Sequence, residues 1–305
     1  METLNRRSLK SVFVYGRERL RRAGIDNFAL DAEVLLRHAT GLDRVTMLTN
    51  PQIPLDERVV DEYHEYLRQR EQRTPVAYIT NSIEFMSLPM YIDRRALIPR
   101  PDTEILVEHA LDMIETLTES RDGRQISVLE MCTGSGCIAL SLAHYAPGIH
   151  ITATDLSADA LQLANENAQR YATGTNIKFL KGDLFQPVAG LRFDVVIANP
   201  PYIPTADIDT LDEDVRLYEP NTALDGGADG LDFYRRLCDG VCNALNPGGV
   251  VLFEIGYDQG TAVKQLLAGA GLSAGVVKDL SGHDRVVLGY LSPSAKNKKF
   301  AEEII

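Results

Sequence analysis

A run of four residues, Asn199-Pro200-Pro201-Tyr202, carries the groups needed to hold a planar NH2 group. The asparagine side chain offers an oxygen acceptor, and because neither proline has an N–H, the local backbone can present carbonyl oxygens to a ligand. Two acceptors on the hydrogens of an amide or aryl amine, with an aromatic ring against its face, would return electron density to its nitrogen. The motif predicts a site that activates such a nitrogen, although the same residues can also simply start a loop.

The motif directly follows an apolar run, Phe193-Asp194-Val195-Val196-Ile197-Ala198, which is typical of a buried parallel strand. In open α/β sheets the active-site residues collect beyond the carboxyl ends of such strands. Further functional residues are therefore expected after the neighbouring strands.

A glycine-rich turn, Glu130-Met131-Cys132-Thr133-Gly134-Ser135-Gly136, lies between a predicted strand and a predicted helix. Gly134 and Gly136 allow a tight turn and let a ligand approach the backbone. Many nucleotide-binding proteins share a turn of this kind. Because Cys132 stands where the dinucleotide pattern has its first glycine, and the third glycine is absent, binding of NAD or FAD is disfavoured.

Two acids follow the next two predicted strands. Asp155 ends the second strand, where its carboxylate can accept hydrogen bonds from both hydroxyls of a ribose. Asp183 follows the third strand and can accept from an adenine amino group, with Leu184 against the ring. Taken singly, each acid is more often a helix cap or a solvated loop residue. The glycine turn, Asp155, Asp183 and Asn199 follow the first four predicted strands in order. Together they predict an S-adenosylmethionine site beside the amide-holding motif.

The elements that must position these residues alternate between helix and strand from about residue 104 onward. This alternation predicts a doubly wound, mostly parallel α/β sheet. Strands are predicted at residues 126–130, 149–154, 177–180, 194–198 and 250–255, the last after a turn at Asn246-Pro247-Gly248-Gly249, with a terminal hairpin at 274–278 and 285–291. Helices are predicted at residues 105–117, 138–145 and 157–171.

The first eighty residues predict a small helical bundle, with helices at residues 9–22, 29–39 and about 57–73. Residues 91–98, bounded by two prolines, predict a strand or hairpin arm that joins two domains. The predicted organisation is a helical domain at residues 1–83, a linker with a β-hairpin at 84–103, a larger domain at 104–292 and a flexible tail at 293–305.

The net charge of −12 is unevenly distributed along the chain. Residues 1–100 carry 16 Lys and Arg against 14 Asp and Glu, whereas residues 101–305 carry 15 against 29. A long polyanion would be repelled by the acidic part, whereas a basic protein or a cationic small molecule would not. We therefore expect no nucleic-acid partner.

The remaining composition predicts an ordinary cytoplasmic protein. No apolar run approaches the roughly 18–20 residues of a membrane helix, and the charged first 22 residues are unlike a secretory signal. The four cysteines, Cys132, Cys137, Cys238 and Cys242, form no CxxC pair and indicate a reducing compartment. Neither a membrane partner nor a metal site is expected.

Over nearly its whole length the chain resembles the HemK/PrmC family, the release factor glutamine methyltransferases. Adenine-amino DNA methyltransferases share the Asn-Pro-Pro-Tyr motif, so other segments carry the resemblance more specifically. Asn81 stands where the family commonly has glycine, and Glu130 stands where aspartate is more frequent. The specific segments are Arg73-Thr74-Pro75-Val76-Ala77-Tyr78-Ile79, Glu84-Phe85, Leu97-Ile98-Pro99-Arg100-Pro101-Asp102-Thr103-Glu104, Tyr218-Glu219-Pro220, Ala223-Leu224-Asp225-Gly226-Gly227, Gly230-Leu231-Asp232-Phe233-Tyr234, Glu254-Ile255-Gly256, Asp279-Leu280 and Asp284-Arg285-Val286-Val287.

The resemblance implies a class I, Rossmann-like methyltransferase domain with a doubly wound seven-stranded sheet, and a small helical N-terminal domain that helps to dock a protein substrate. The implied enzyme transfers a methyl group from S-adenosyl-L-methionine, which becomes S-adenosyl-L-homocysteine. The implied acceptor is the side-chain nitrogen N5 of the glutamine in the Gly-Gly-Gln motif of class I peptide chain release factors. A monomer is expected.

The resemblance also implies roles for individual residues. Cys132 to Gly136 would face the methionine part of the cofactor, Asp155 the ribose, and Asp183 with Leu184 the adenine. Glu130 and Asn199 are further cofactor-binding candidates. Residues 199–202 would hold the glutamine amide. Within them, the candidate catalytic residues are Asn199, Pro200 and Tyr202.

Several alternatives remain open from the sequence. The methyl acceptor can instead be a glutamine of a ribosomal protein. It can also be an adenine amino group of DNA, although the acidic charge of residues 101–305 disfavours DNA. A non-catalytic cofactor-binding protein is disfavoured because every motif is intact. Arg100 either binds substrate or braces the domain junction. Glu219 and Glu254 either line the site or make structural hydrogen bonds, and His283 is expected in a solvated hairpin turn.

Overall fold

The computed structural model describes residues 7–120, 124–171 and 176–292, and the chain divides into two compact units. The first unit holds residues 7–82 together with the segment Asp212–Tyr218, and the second holds the other described residues from Ile83 onward. The tail predicted at residues 293–305 lies outside the described residues. No helix in the described part of the chain is both long and apolar enough to cross a membrane.

The first unit is a bundle of short helices whose inward faces meet in an apolar core around the buried ring of Tyr63. Ser8, Asp43 and Asp56 each accept a hydrogen bond from a backbone N–H in the first turn of the helix that follows. The predicted N-terminal helices are confirmed. The helices of this unit are α1 (Leu9–Arg22), α2 (Phe28–Thr40), α3 (Arg44–Thr49), α4 (Glu57–Glu71), α5 (Val76–Thr80) and, from the later segment, α9 (Glu213–Tyr218).

Inside this unit, a group of three charged side chains, of which Asp31 and Arg70 are buried and Asp214 is partly exposed, ties α9 to the bundle. Arg70 on α4 donates through Nε to Asp31 at 2.7 Å and pairs through Nη2 with Asp214 at 2.7 Å. Burial raises the pKa of Asp31, and the hydrogen bond from Arg70 opposes that shift. Because a buried charge without its partner is strongly destabilising, the three side chains fix the segment that leads into Glu219.

The second unit is built on a seven-stranded sheet in the order β5-β4-β3-β6-β7-β9-β8. Strands β3 to β7 run parallel, whereas β9 pairs antiparallel with both β7 and β8. The predicted doubly wound sheet and its terminal hairpin are confirmed. The strands are β1 (Ile83–Phe85), β2 (Leu88–Met90), β3 (Ser127–Met131), β4 (His150–Asp155), β5 (Ile177–Lys181), β6 (Phe193–Ala198), β7 (Leu245–Glu254), β8 (Ser273–Lys278) and β9 (Asp284–Tyr290), and the helices are α6 (Thr103–Ser120), α7 (Cys137–Tyr145), α8 (Ala158–Arg170), α10 (Asp232–Ala244) and α11 (Gly260–Gly269).

Strand β6 lies at the centre of this unit and is buried along its whole length. Val195 and Ile197 pack into the apolar cluster on one face of the sheet, and Val196 and Ala198 into the cluster on the other. Strands β3 and β6 are neighbours although β4 and β5 separate them in sequence, so the strand order reverses between them. Ligands of open α/β sheets bind at such a reversal.

Two local predictions are wrong. Residues 91–98 form no strand; the hairpin lies earlier, where β1 pairs with β2 through a two-residue turn. Met86 and Ser87 in that turn have φ of 49° and 58°, a left-handed conformation normally signalled by Asn or Gly, so the sequence carried no turn signal. The predicted turn at residues 246–249 is instead the irregular start of β7, which already pairs at Leu245 and accommodates Gly248 at a φ of 77°.

Asn81 occupies a left-handed position at the end of α5, with φ of 50° and ψ of 35°. Glycine enters this region freely, and asparagine is among the few other residues that tolerate it. Asparagine in place of the family's usual glycine at this position is therefore compatible with the local backbone conformation.

Candidate active site

The carboxyl ends of β3, β4, β5 and β6 open onto a cavity of about 340 Å³. Segments that precede α6 and follow Glu219 complete its wall. The structure brings most of the predicted site residues together here. Those that line the cavity are Arg100, Cys132, Thr133, Gly134, Ser135, Asp155, Asp183, Leu184, Asn199 and Pro201.

The glycine turn after β3 adopts a left-handed backbone at every second residue. Cys132, Gly134 and Gly136 have φ of 60°, 54° and 80°. For the cysteine this conformation is strained, and strain of this kind concentrates at functional sites. Asn167 of α8, which is fully buried, donates through Nδ2 to the carbonyl of Ser135 at 3.0 Å and holds the turn in place.

Asp155 at the end of β4 supports the same turn. Its Oδ2 accepts from the backbone N–H of Gly134 at 2.9 Å, and its Oδ1 accepts from the N–H of Ser157 at 2.8 Å. Burial raises its pKa, and these backbone hydrogen bonds oppose the shift. Since a carboxylate has about four lone-pair sites, both oxygens can still accept a hydroxyl from a ligand in the cavity.

Asp183 lies beyond β5, where its Oδ2 forms an ion pair with Arg236 at 2.6 Å. Leu184 has a φ of 46° and contributes an apolar side chain to the cavity wall. Phe233 also lines the cavity, with the guanidinium of Arg236 above its ring at 5.7 Å from the centroid. The acid with two apolar groups beside it suits a planar base that carries an amino group.

Asn199 follows β6, and its Nδ2 donates to Oγ1 of Thr103 at 3.3 Å. With its NH2 group engaged, its Oδ1 is the atom that can accept from a ligand. Pro201 lines the cavity beside it, whereas Pro200 and Tyr202 do not. Burial raises the pKa of the Tyr202 hydroxyl to about 12, so this ring is a neutral phenol.

Contacts with neighbouring segments hold the backbone of the Asn199–Tyr202 motif in place. Ile203 pairs with the segment around Asp225, its N–H donating to Leu224 and its carbonyl accepting from Gly226 at 2.8 Å. The Gln259 side chain donates to the Tyr202 carbonyl at 2.9 Å. A Cβ on Gly226 would lie 2.7 Å from the Cα of Tyr202, so only glycine permits this approach.

Arg100 both lines the cavity and is braced. Its Nη2 donates to Oε1 of the buried Glu219 at 2.5 Å, and Oε2 of the same carboxylate accepts from the N–H of Ile98 at 3.0 Å. Glu219 therefore makes structural hydrogen bonds. They hold the Arg100 guanidinium at the cavity wall, where its remaining N–H groups can meet a ligand.

Four predicted site residues lie outside the cavity lining: Glu130, Gly136, Pro200 and Tyr202. Glu130 is fully buried, its Oε2 accepts from Thr133 at 2.8 Å, and burial raises its pKa to about 8. His283 is exposed in the β8–β9 turn, as expected.

Among the lining residues that the sequence did not reveal are Thr103 and Phe233. Both belong to segments that carry the family resemblance, but neither residue type signals this chemistry by itself. Thr103 contributes through its contact with Asn199, which lies 96 positions later and which no local pattern could have revealed.

Comparison with known proteins identifies the family. Residues 11–80 match the PrmC N-terminal domain, and residues 108–213 match the methyltransferase small domain. A release factor glutamine methyltransferase of Moorella thermoacetica is 42% identical over 89% of this chain and 94% of its own. One of Clostridium acetobutylicum is 40% identical over 85% of this chain and 90% of its own.

The chain belongs to the release factor glutamine methyltransferase family. The catalytic domain of hMettl16, solved in complex with MAT2A 3'UTR hairpin 6, has a similar fold, with a TM-score of 0.52 at 16% identity over 68% of this chain and 76% of that one. A methyltransferase of this family and fold is an S-adenosylmethionine-dependent enzyme. The cavity fits that cofactor in chemistry, because it offers carboxylates for hydroxyl and amino groups, an apolar wall and a glycine turn open to close approach.

We expect Glu130→Gln to reduce the fall in stability with rising pH. Because the folded pKa of about 8 lies above the ordinary value of 4.5, the folded protein keeps a proton that the unfolded chain has lost. Stability from this group is fully present below the unfolded pKa and is lost as pH rises through the folded pKa. In urea unfolding across this range, the wild type should lose up to about 1.4 kcal/mol per pH unit more than the variant.

Asp159→Asn, on the exposed first turn of α8, is the control for changes in net charge and should match the wild type. Equal slopes for the wild type and Glu130→Gln would mean that the Glu130 carboxyl is not protonated in the folded protein.

Proposed function

We propose that this protein methylates the side-chain amide nitrogen N5 of the glutamine in the Gly-Gly-Gln motif of class I peptide chain release factors, with S-adenosylmethionine as the methyl donor. The observation that carries the proposal is the position of Asn199. Its side chain lines the cavity at the reversal of the strand order while its NH2 group is engaged by Thr103, so an acceptor oxygen remains for an amide. Family membership supports the same substrate.

In this proposal, different residues of the cavity bind different parts of the cofactor. The turn from Cys132 to Gly136 meets the methionine part, with Glu130 supporting the turn from below through Thr133. Asp155 accepts the ribose hydroxyls. Asp183 and Leu184 hold the adenine. S-adenosylmethionine supplies, when bound, a methyl group that is already activated as a sulfonium.

The protein's own task is then to hold the amide nitrogen in line and to raise its nucleophilicity. The Asn199 Oδ1 and the Pro200 carbonyl accept the two amide hydrogens, which become more acidic as the nitrogen begins to bond. These contacts therefore bind the transition state more tightly than the ground state. Pro201 shapes the cavity wall next to the amide. The proposal requires that Pro200 and Tyr202, which do not line the cavity as it stands, also border the bound amide, with Tyr202 packed beside it to exclude water. Orientation of this kind supplies up to roughly 7–11 kcal/mol.

The remaining parts of the chain take supporting roles in the proposal. Residues 1–83 dock the release factor, residues 84–103 link the domains and bring Arg100 to the cavity wall, and residues 104–292 perform the transfer. Arg100 meets the substrate beside the glutamine, since Glu219 leaves part of its guanidinium unengaged. The excess of acid after residue 100 disfavours DNA as the acceptor.

The test is to incubate the purified chain with labelled S-adenosylmethionine and, separately, a class I release factor, ribosomal proteins and duplex DNA. We expect label on the release factor alone, and peptide mass spectrometry should place one added methyl group on the Gly-Gly-Gln glutamine. A release factor with Gln→Ala in that motif is the matched control and should stay unlabelled. Label on ribosomal proteins or DNA instead would overturn the substrate assignment.

Asn199→Ala should lower turnover on the release factor by about 100-fold or more, because an acceptor aimed at the transition state is lost. Cofactor affinity should largely survive, since the turn and both acids are untouched. Single-turnover kinetics and calorimetry measure the two effects separately, and a melting curve verifies the fold. Turnover like that of the wild type would exclude the amide-holding role.

Asp155→Ala should weaken cofactor binding by about 10- to 100-fold, as expected for the loss of hydrogen bonds to a charged group. Asp159→Ala removes the same charge from the exposed first turn of α8 and is the matched control. Calorimetry that finds the same cofactor affinity in both variants would remove the ribose assignment from Asp155.

A further inference from the structure

A second buried glutamate, Glu254, lies directly behind Asn199. It ends β7, and the register pairs Ala198 of β6 with Phe253 of β7, so the next residues of the two strands are neighbours. Its side chain is 1% exposed and does not line the cavity. Among the described residues, its Oε2 is one of the few buried side-chain nitrogen or oxygen atoms that lack a hydrogen-bond partner. An acid placed so deeply without full hydrogen bonding destabilises the fold, which calls for a functional reason.

A series of polar side chains, Glu254, Thr103 and Asn199, leads from this carboxylate to the acceptor site and forms the chain considered below. Asn199 donates through Nδ2 to Oγ1 of Thr103 at 3.3 Å, and Thr103 is almost fully buried. Burial raises the pKa of Glu254, and the Thr103 and Asn199 side chains beside it oppose that shift. Each of the two carries a hydrogen that an ionised carboxylate can accept.

The charge state of Glu254 sets the direction of this chain. An ionised carboxylate can only accept, so the Thr103 hydroxyl must direct its single hydrogen toward Glu254. The lone pairs of Oγ1 then face Asn199 and require its NH2 group on that side. The Oδ1 of Asn199 is turned away from the buried chain, toward the cavity.

We propose that Glu254 is a positioning residue that orients the Asn199 side chain through Thr103, so that Oδ1 rather than Nδ2 meets the substrate amide. The inference rests on the proposed function, because it deepens the role of Asn199 there. A protonated Glu254 carries a hydrogen that it can donate to Thr103, and this donation would reverse the chain. The Asn199 amide would then present a donor to a substrate NH2 group, and the two would repel.

The surroundings of Glu254 make this orientation depend on pH. Burial raises its pKa to about 7, and the nearby guanidinium of Arg285 opposes the shift. The ionised, orienting form therefore predominates above about pH 7, and turnover should fall as pH drops through that value. The other titratable groups near this carboxyl, on the segments packed around it, are Asp102, Tyr202, Tyr234 and Cys137.

Three variants test the orienting role. Glu254→Leu removes the acceptor and should lower kcat by about 10- to 100-fold, the expected effect of a misplaced catalytic group, with cofactor affinity within about twofold of the wild type. Glu254→Gln resembles the protonated acid, because it keeps a hydrogen to donate and cannot ionise. Its kcat should therefore lie near the low-pH value of the wild type and should not fall further below about pH 7. Asp194→Asn changes a buried acid at the other end of β6, bonded to Ser127 and Asn246, and should leave kcat and its pH profile unchanged.

A measurement without any protein substrate separates this inference from the proposed function. In the ¹⁵N-labelled protein, the side-chain NH2 resonances of Asn199, assigned by their loss in Asn199→Ala, should shift with a midpoint near pH 7. The shift should be absent in Glu254→Gln and present in Asp194→Asn.

The outcomes distinguish the two claims. A wild type that fails to methylate a release factor, yet shows the Asn199 titration, refutes the substrate and leaves the orienting role standing. Glu254→Leu with a kcat like that of the wild type overturns the orienting role. So does Glu254→Gln with the kcat and the pH profile of the wild type, or an Asn199 resonance that does not titrate in the wild type.

Discussion

The parallel pairing of β6 between β3 and β7 is the constraint on which the rest of the site depends. Ala198 pairs with Met131 on one side and with Phe253 on the other, so the three strands end within one residue of one another. Because β6 is buried on both faces, a slip by one residue would turn its side chains to the wrong clusters. The residues that follow these strands, far apart in sequence, are thereby held side by side at one edge.

Rigid support of the strand ends follows from contacts that involve no catalytic chemistry. The backbone after Tyr202 pairs with the segment at Asp225, and Gln259 clamps the Tyr202 carbonyl. Glycines at 226 and 230 are required because a Cβ at either position would collide with Tyr202. In the proposed reaction, such support would hold the acceptor groups near their working geometry before a substrate binds, and orientation set in advance can lower a reaction barrier substantially.

Features that have a local sequence pattern could be predicted from the sequence. Contacts between segments that are distant in sequence could not. Helix and strand periodicity, capping residues and the polar residues after four strands predicted the sheet, and most of the predicted site residues line the cavity. The β1–β2 turn was missed because Met86 and Ser87 carry no left-handed signal. The role of Thr103 toward Asn199 was invisible because it exists only once the start of α6 and the end of β6 come together.

Two buried acids, Glu130 and Glu254, lie near this edge of the sheet, and their burial is unfavourable for folding. At neutral pH an apolar residue of similar size in place of Glu130 or Glu254 would avoid the desolvation that raises both pKa values. An apolar side chain, however, cannot impose a direction on a hydroxyl or an amide. At Glu130 the acid accepts from Thr133 of the turn, and at Glu254 we propose that it orients Thr103 and, through it, Asn199. This ability to orient neighbouring polar groups is our explanation for an acid at both positions, where an apolar residue would avoid the desolvation.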